Sequence, residues 1–168
     1  SAHNTLLVDN RSQSASGGAF LWVRHANASI DARGVDDAGQ WVAGSHDGYA
    51  GIHRREIRFD AGTRSFRIVD AIDGTGTSEL RLHFHFHPRV AIRQERVGGV
   101  WTASRAGSSR KCRIEVDSRW QWEVRMGDTA PILGWYSSAL HRKQPSPVLR
   151  GVWRGTMPVR IETVLQVE

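Results

Sequence analysis

The chain has 168 residues, a formal net charge of +6 and one cysteine, Cys112. A chain of that length can bury well over half of its unfolded surface in one core, so it needs no metal or disulfide to fold, and a lone cysteine excludes an internal bridge. No apolar run approaches the roughly 18 residues of a membrane-spanning helix, and the first residues lack the basic-then-apolar pattern of a signal peptide.

From the amino terminus onward, apolar and polar residues alternate with period two. This predicts strands at 20–24, 28–31, 56–59, 65–69, 80–87, 90–92, 112–116, 120–124 and 159–167. Turn-formers separate them: Asp36-Asp37-Ala38-Gly39, Asp60-Ala61-Gly62, Asp73-Gly74-Thr75-Gly76, Gly98-Gly99, Ala106-Gly107-Ser108-Ser109 and Met126-Gly127-Asp128. Each can supply the positive φ angles of tight connections. Gln144-Pro145-Ser146-Pro147 reads as an extended surface loop, because proline cannot donate to a central ladder. No glycine-free stretch keeps a helical apolar stripe, so little helix is expected. Antiparallel strands with one dry face pack as two layers, which predicts an all-β antiparallel sandwich forming one domain over residues 1–168.

The positive charge is nearly all arginine, since Lys111 and Lys143 are the only lysines. Two readings stay open. The planar guanidinium grips carboxylate, sulfate or phosphate through paired bonds, which points to an anionic partner. Alternatively, arginine merely replaces lysine through genome composition.

Four local patterns follow in order, the first being Ser1-Ala2-His3-Asn4-Thr5-Leu6-Leu7-Val8-Asp9-Asn10 with Gln13 beyond it, and together they resemble the heparinase II/III-like family of bacterial polysaccharide lyases, with Asn10 where glycine is usual in that family's opening segment. Asparagine also tolerates the left-handed conformation. His46-Asp47-Gly48-Tyr49 followed by His53-Arg54-Arg55 resembles the next pair of strands. Ile68-Val69-Asp70-Ala71-Ile72-Asp73-Gly74 and Leu82-His83-Phe84-His85-Phe86-His87-Pro88 resemble the third stretch. Gly134-Trp135-Tyr136-Ser137, Leu149 and residues 158–163 resemble the closing one.

The resemblance implies the carboxy-terminal β-sandwich part of a two-part enzyme whose helical toroid precedes it. The implied reaction is β-elimination on an acidic, uronate-containing polysaccharide such as a heparin-like glycan, alginate or a bacterial exopolysaccharide. A base removes the proton α to the carboxylate while an acid protonates the leaving oxygen. The catalytic residues implied by the family are expected upstream of Ser1, so no catalytic residue is assigned within the chain. Since the chain opens on Ser1, a processed piece is expected, with any targeting signal upstream and a periplasmic or secreted parent. His3 corresponds to a histidine that supplies one ligand to a structural zinc in the family. One histidine cannot close a four-coordinate shell, so zinc is expected in the parent and no cofactor in the isolated chain. Loss of upstream strands is expected to bare a sheet edge or apolar face and to promote self-association.

His46, Tyr49, Arg54 and Arg55 are the candidate substrate-binding residues, forming a cleft wall with Arg54 or Arg55 opposing a substrate carboxylate. The competing view is a strand corner in which Asp47 bonds turn backbone and Tyr49 packs. His83, His85 and His87 share one side of a strand, but successive members are about 7 Å apart, too far to share a metal easily. A solvated or cleft-lining histidine face is expected instead. Of the seven tryptophans, one or two are expected to be open to sugar, the rest packed.

Two functions from different classes follow: part of a lyase, or a noncatalytic acidic-glycan-binding or structural module. Nucleic-acid binding is not expected, because no helix-turn-helix, zinc-finger or aromatic-glycine RNA pattern is present.

Overall fold

Alternation along the chain is realised as antiparallel strand, and no helix occurs among the described residues. The computed structural model describes residues 3–18, 21–96 and 98–168. Ser1 and Ala2 of the opening motif, and Phe20 of the first expected strand, lie outside these.

The strands in chain order are β1 (Leu6–Val8), β2 (Ala15–Gly18), β3 (Leu21–Arg24), β4 (Ala28–Asp36), β5 (Gly39–His46), β6 (His53–Asp60), β7 (Ser65–Ile72), β8 (Thr77–His85) and β9 (Val90–Arg96). There follow β10 (Val100–Arg105), β11 (Lys111–Val116), β12 (Gln121–Arg125), β13 (Asp128–Thr129), β14 (Ile132–Leu133), β15 (Trp135–Ala139), β16 (Arg142–Pro145), β17 (Val148–Thr156) and β18 (Val159–Val167). An eight-stranded sheet in the order β4-β5-β6-β7-β18-β11-β10-β9 packs against a four-stranded sheet in the order β1-β8-β17-β12. Three two-stranded ribbons, β2-β3, β13-β14 and β15-β16, complete the described strands.

Between the layers lie Ile68, Ile72, Ile114 and Ile161 from the large sheet and Leu6, Leu80, Leu82 and Leu149 from the small one. Burial of each such side chain contributes about 1.5–3 kcal/mol relative to exposure. β17 carries interior glycines that blur its alternation, and packing explains them. A Cβ on Gly151 would stand 2.7 Å from the Trp122 ring, and one on Gly155 would stand 2.2 Å from the Trp153 ring. These two indoles flank Trp120, each with its ring centroid 6.1 Å away, so a column of three tryptophans closes one side of the core.

The large sheet outreaches the small one. The directly opposed residues Val42, Ile57 and Ile68 run from an open face into the core. Around Val42 lie Ile30, Val35, Phe59 and Phe66, lining an apolar depression of about 710 Å³.

The segment after β16 is extended, as expected, but it is not at the surface: Ser146 and Pro147 are buried. Ser146 N–H donates to the Gly134 carbonyl at 2.9 Å, and the Pro147 carbonyl accepts from Phe86 N–H at 2.9 Å. These bonds fold the segment under the β15-β16 ribbon.

Candidate functional site

The turn joining β1 to residue 11 has Asp9 at φ 49° and Asn10 at φ 58°, both left-handed. Arg11 N–H closes it on the Val8 carbonyl at 2.9 Å. This is type I′ geometry, and Asn10 adopts it in place of glycine. Asp9 holds the turn to the small sheet by accepting from Glu79 N–H at 2.9 Å. The run before β1 is tied to β8, where Asn4 Oδ1 accepts from His85 N–H at 2.7 Å and the Thr5 carbonyl accepts from His83 N–H at 3.1 Å.

Opposite this run stands the loop after β5. Asp47 accepts at 2.7 Å from both the backbone N–H and the side-chain amide of Asn27, pinning the loop to the approach of β4. These bonds hold its carboxyl below the usual range. Asp47 thus also bonds a backbone N–H outside its own turn, that of Asn27 just before β4. Tyr49 packs against the core and donates to the Leu6 carbonyl at 2.6 Å. Burial pushes its phenol up to about 12. Gly48 backs onto residue 13: a Cβ there would meet the Gln13 carbonyl oxygen at 2.7 Å, so a larger residue would force the two segments apart. The glycine and glutamine singled out in separate motifs are therefore partners in one contact.

Beneath the loop lies a chain of polar groups. His53 Nε2 is 2.6 Å from Asp70 Oδ1, and His53 Nδ1 is 3.0 Å from His46 Nε2. Gly48 N–H points at His46 Nδ1 from 3.2 Å. That nitrogen therefore accepts, which puts the His46 proton on Nε2. His46 Nε2–H then donates to His53 Nδ1, and His53 Nε2–H to the Asp70 carboxylate. Arg55 grips the same carboxylate through Nε at 2.8 Å and Nη2 at 2.9 Å, and its Nη1 donates to the Asn4 carbonyl. Burial alone would raise the Asp70 carboxyl. The His53 hydrogen bond and the Arg55 charge outweigh it and hold the group below its ordinary value. Desolvation, with His53 beside it, depresses His46. Both ring nitrogens of His46 are engaged, so the network is a closed brace joining β5, β6, β7 and the run before β1.

Of the four candidate substrate residues, the fold brings His46, Tyr49 and Arg55 together. Arg54 falls on the opposite face of β6, where it pairs at 2.6 Å with Asp73 at an exposed position. His46, His53 and Arg55 line an open depression of about 300 Å³ together with Thr5, Gln13 and Ser45. Tyr49 lines a second, of about 480 Å³, with Arg11, Arg24, Asp73 and Thr75. Asp70 had no role assigned from sequence, although one signal was present: it is a lone acid at the inward-facing position between Ile68 and Ile72.

The histidine face of β8 differs from expectation. His83 is only 3% exposed and its buried Nδ1 has no hydrogen-bond partner among the described residues, His85 is half-buried, and His87 is exposed against Tyr136. The cause is the flanking of His83 by the Thr5 run on one side and by Arg150 of β17 on the other. Burial pushes the His83 imidazole down to about 4. Among the described residues, no three His, Cys, Asp or Glu side chains are grouped to hold a metal ion.

The family model for heparinase II/III-like proteins, C-terminal, matches residues 1–162. No curated protein matches. Among solved structures, the chain is similar to the heparan sulfate lyase HepC from Pedobacter heparinus, with a TM-score of 0.75 at 14% identity over 98% of this chain and 24% of that one. It is also similar to a heparinase III gene product with methylated lysines, at TM-score 0.72 and 15% identity over 98% of this chain and 23% of that one. For another heparinase III the values are 0.71 and 12%, over the same shares of the two chains. At such identities the likeness is one of fold, and the chain spans about a quarter of the length of these structures.

Proposed function

Because the chain belongs to the heparinase II/III-like C-terminal family, we propose that it is the β-sandwich part of a longer lyase that cleaves uronate-containing acidic polysaccharide by β-elimination. The observation that carries this reading is that the family match spans residues 1–162 and its motif residues meet in one place. Asn4, His46, Gly48, His53, Arg55 and Asp70 belong to separate motifs yet share the single braced network.

In the proposed reaction, a base outside these residues takes the proton α to the uronate carboxylate, and an acid protonates the departing glycosidic oxygen. Charge accumulating on the carboxylate must be met by fixed positive groups. The sandwich serves as the rigid wall of the cleft. His46 and Tyr49 shape its surface, and Arg55 sets the position of the run that bears His3. A zinc ion in the longer protein would take His3 as one ligand and the others from outside this chain. A periplasmic or secreted location belongs to the same proposal. No helix among the described residues is long and apolar enough to cross a membrane.

The test is to express the longer protein and follow the ultraviolet absorbance of unsaturated uronate ends on heparan sulfate, alginate and other acidic polysaccharides. A rise on at least one of them is expected. No rise on any, from folded protein, would refute the reading.

A further inference from the structure

We infer that the basin between the β1 turn and the β2-β3 ribbon is a binding subsite for an acidic saccharide, with Trp22 as its stacking platform and Arg11 as its anion contact. This rests on the acidic-glycan reading above and names residues for it. The basin has a volume of about 760 Å³, within the range of small-molecule sites and enough for a short oligosaccharide. Its lining includes Asn10, Arg11, Gln13, Ser14, Trp22 and Arg24, and among the described residues no carboxylate lines it.

Three independent features converge there. Of the seven tryptophans, Trp22 is the one with more than half its surface open, at 53%, whereas the others are buried or half-buried. An open indole face stacks on the C–H surface of a sugar ring. The type I′ turn presents Arg11 at the rim, where no ion pair to a carboxylate forms among the described residues. Asp9 beside it is turned away, accepting from Glu79 N–H and the Ser78 hydroxyl. Arg24 spends its guanidinium on the Gly48 carbonyl at 2.8 Å and the Ser12 carbonyl at 2.9 Å. Bonds to carbonyls leave that cation unneutralised at the basin wall. Two cations, an open indole and a rim of hydroxyl and amide groups suit a sugar bearing carboxylate or sulfate, and the absence of acids removes the repulsion a polyanion would meet.

The test titrates the full chain, by tryptophan fluorescence and calorimetry, with a heparan sulfate oligosaccharide, an alginate oligosaccharide, a neutral cello-oligosaccharide of matched length, and polyglutamate. Binding to an acidic oligosaccharide is expected, weakening as salt rises, with Arg11→Gln and Trp22→Ala each reducing affinity by about tenfold or more. Both positions are exposed, so circular dichroism should show both variants folded. The subsite is overturned if the chain binds no acidic oligosaccharide, if both variants bind as tightly as the parent sequence, or if the neutral sugar or polyglutamate binds equally well. If the variants abolish binding while the longer protein shows no lyase activity, the subsite stands and the elimination reading alone falls.

Discussion

His53 and Asp70 face each other at 2.6 Å on adjacent strands, with 4% and 1% of their surfaces exposed. A carboxylate so enclosed is tolerated because Arg55 neutralises it through two bonds and His53 supplies a third. Removing the acid strands the guanidinium of Arg55 and the imidazole of His53 without their partner. Asp70→Ala is therefore expected to destabilise the fold by about 3–5 kcal/mol, measured by urea unfolding. A cost below about 1 kcal/mol would show that the brace is not structural.

Acid is expected to weaken the fold through His83. Burial depresses its folded-state pKa to about 4 from the ordinary 6.5, so the neutral form is the one the fold accommodates. Between those values the unfolded chain binds the extra proton, so stability is present above pH 6.5 and falls as pH drops toward 4, by roughly 3 kcal/mol. His46 and His85 are depressed by burial too and act in the same direction. His83→Leu should flatten the slope of unfolding free energy against pH in this window, and an unchanged slope would assign the effect elsewhere.

Tyr49 should stay protonated where an ordinary tyrosine ionises. Only two tyrosines are present, so a Tyr136→Phe protein reports on Tyr49 alone. Its phenolate absorbance is expected to rise near pH 12, well above the ordinary value of about 10. Tyr49→Phe removes the bond to the Leu6 carbonyl and should cost about 1 kcal/mol in urea unfolding.

The uncovered end of the large sheet should drive association. Ile30, Val35, Val42 and Phe66 are exposed side by side around one apolar depression, and β4 presents an unpaired edge beside them. Sedimentation velocity is expected to show a larger species growing with concentration, and a Val35→Lys, Val42→Lys double variant should shift it to monomer. A strict monomer in both forms would mean that the face does not self-associate.

Strong alternation makes strands legible in the sequence: residues 159–167 have the bounds of β18, and 112–116 and 120–124 fall within one residue of β11 and β12 at each end. Glycines interrupt the apolar pattern of β5 and β17 and hide both strands from a period-two reading. Those in β17 make sense only once Trp122 and Trp153 are seen lying over them. The same limit applies to the site. The residue types at His46, Tyr49 and Arg55 mark them, and alternation through Ile57 and Phe59 puts Arg55 rather than Arg54 on the apolar face, but only the packed sheets show that one faces solvent beside Asp73 and the other locks a buried acid.

Period-two patterning and turn chemistry depend on neighbours a few positions away, so the chain written out as letters was enough to point to an antiparallel sandwich, while the family followed from the resemblance of four motifs in order and the match over residues 1–162. Which side chains meet is another matter. Gly48 against Gln13, Asp70 between His53 and Arg55, and Trp22 open while Trp120 is sealed all arise from sheet register and from which layer covers which face. Those are long-range outcomes of burying apolar surface, and they exist only once the two sheets have packed.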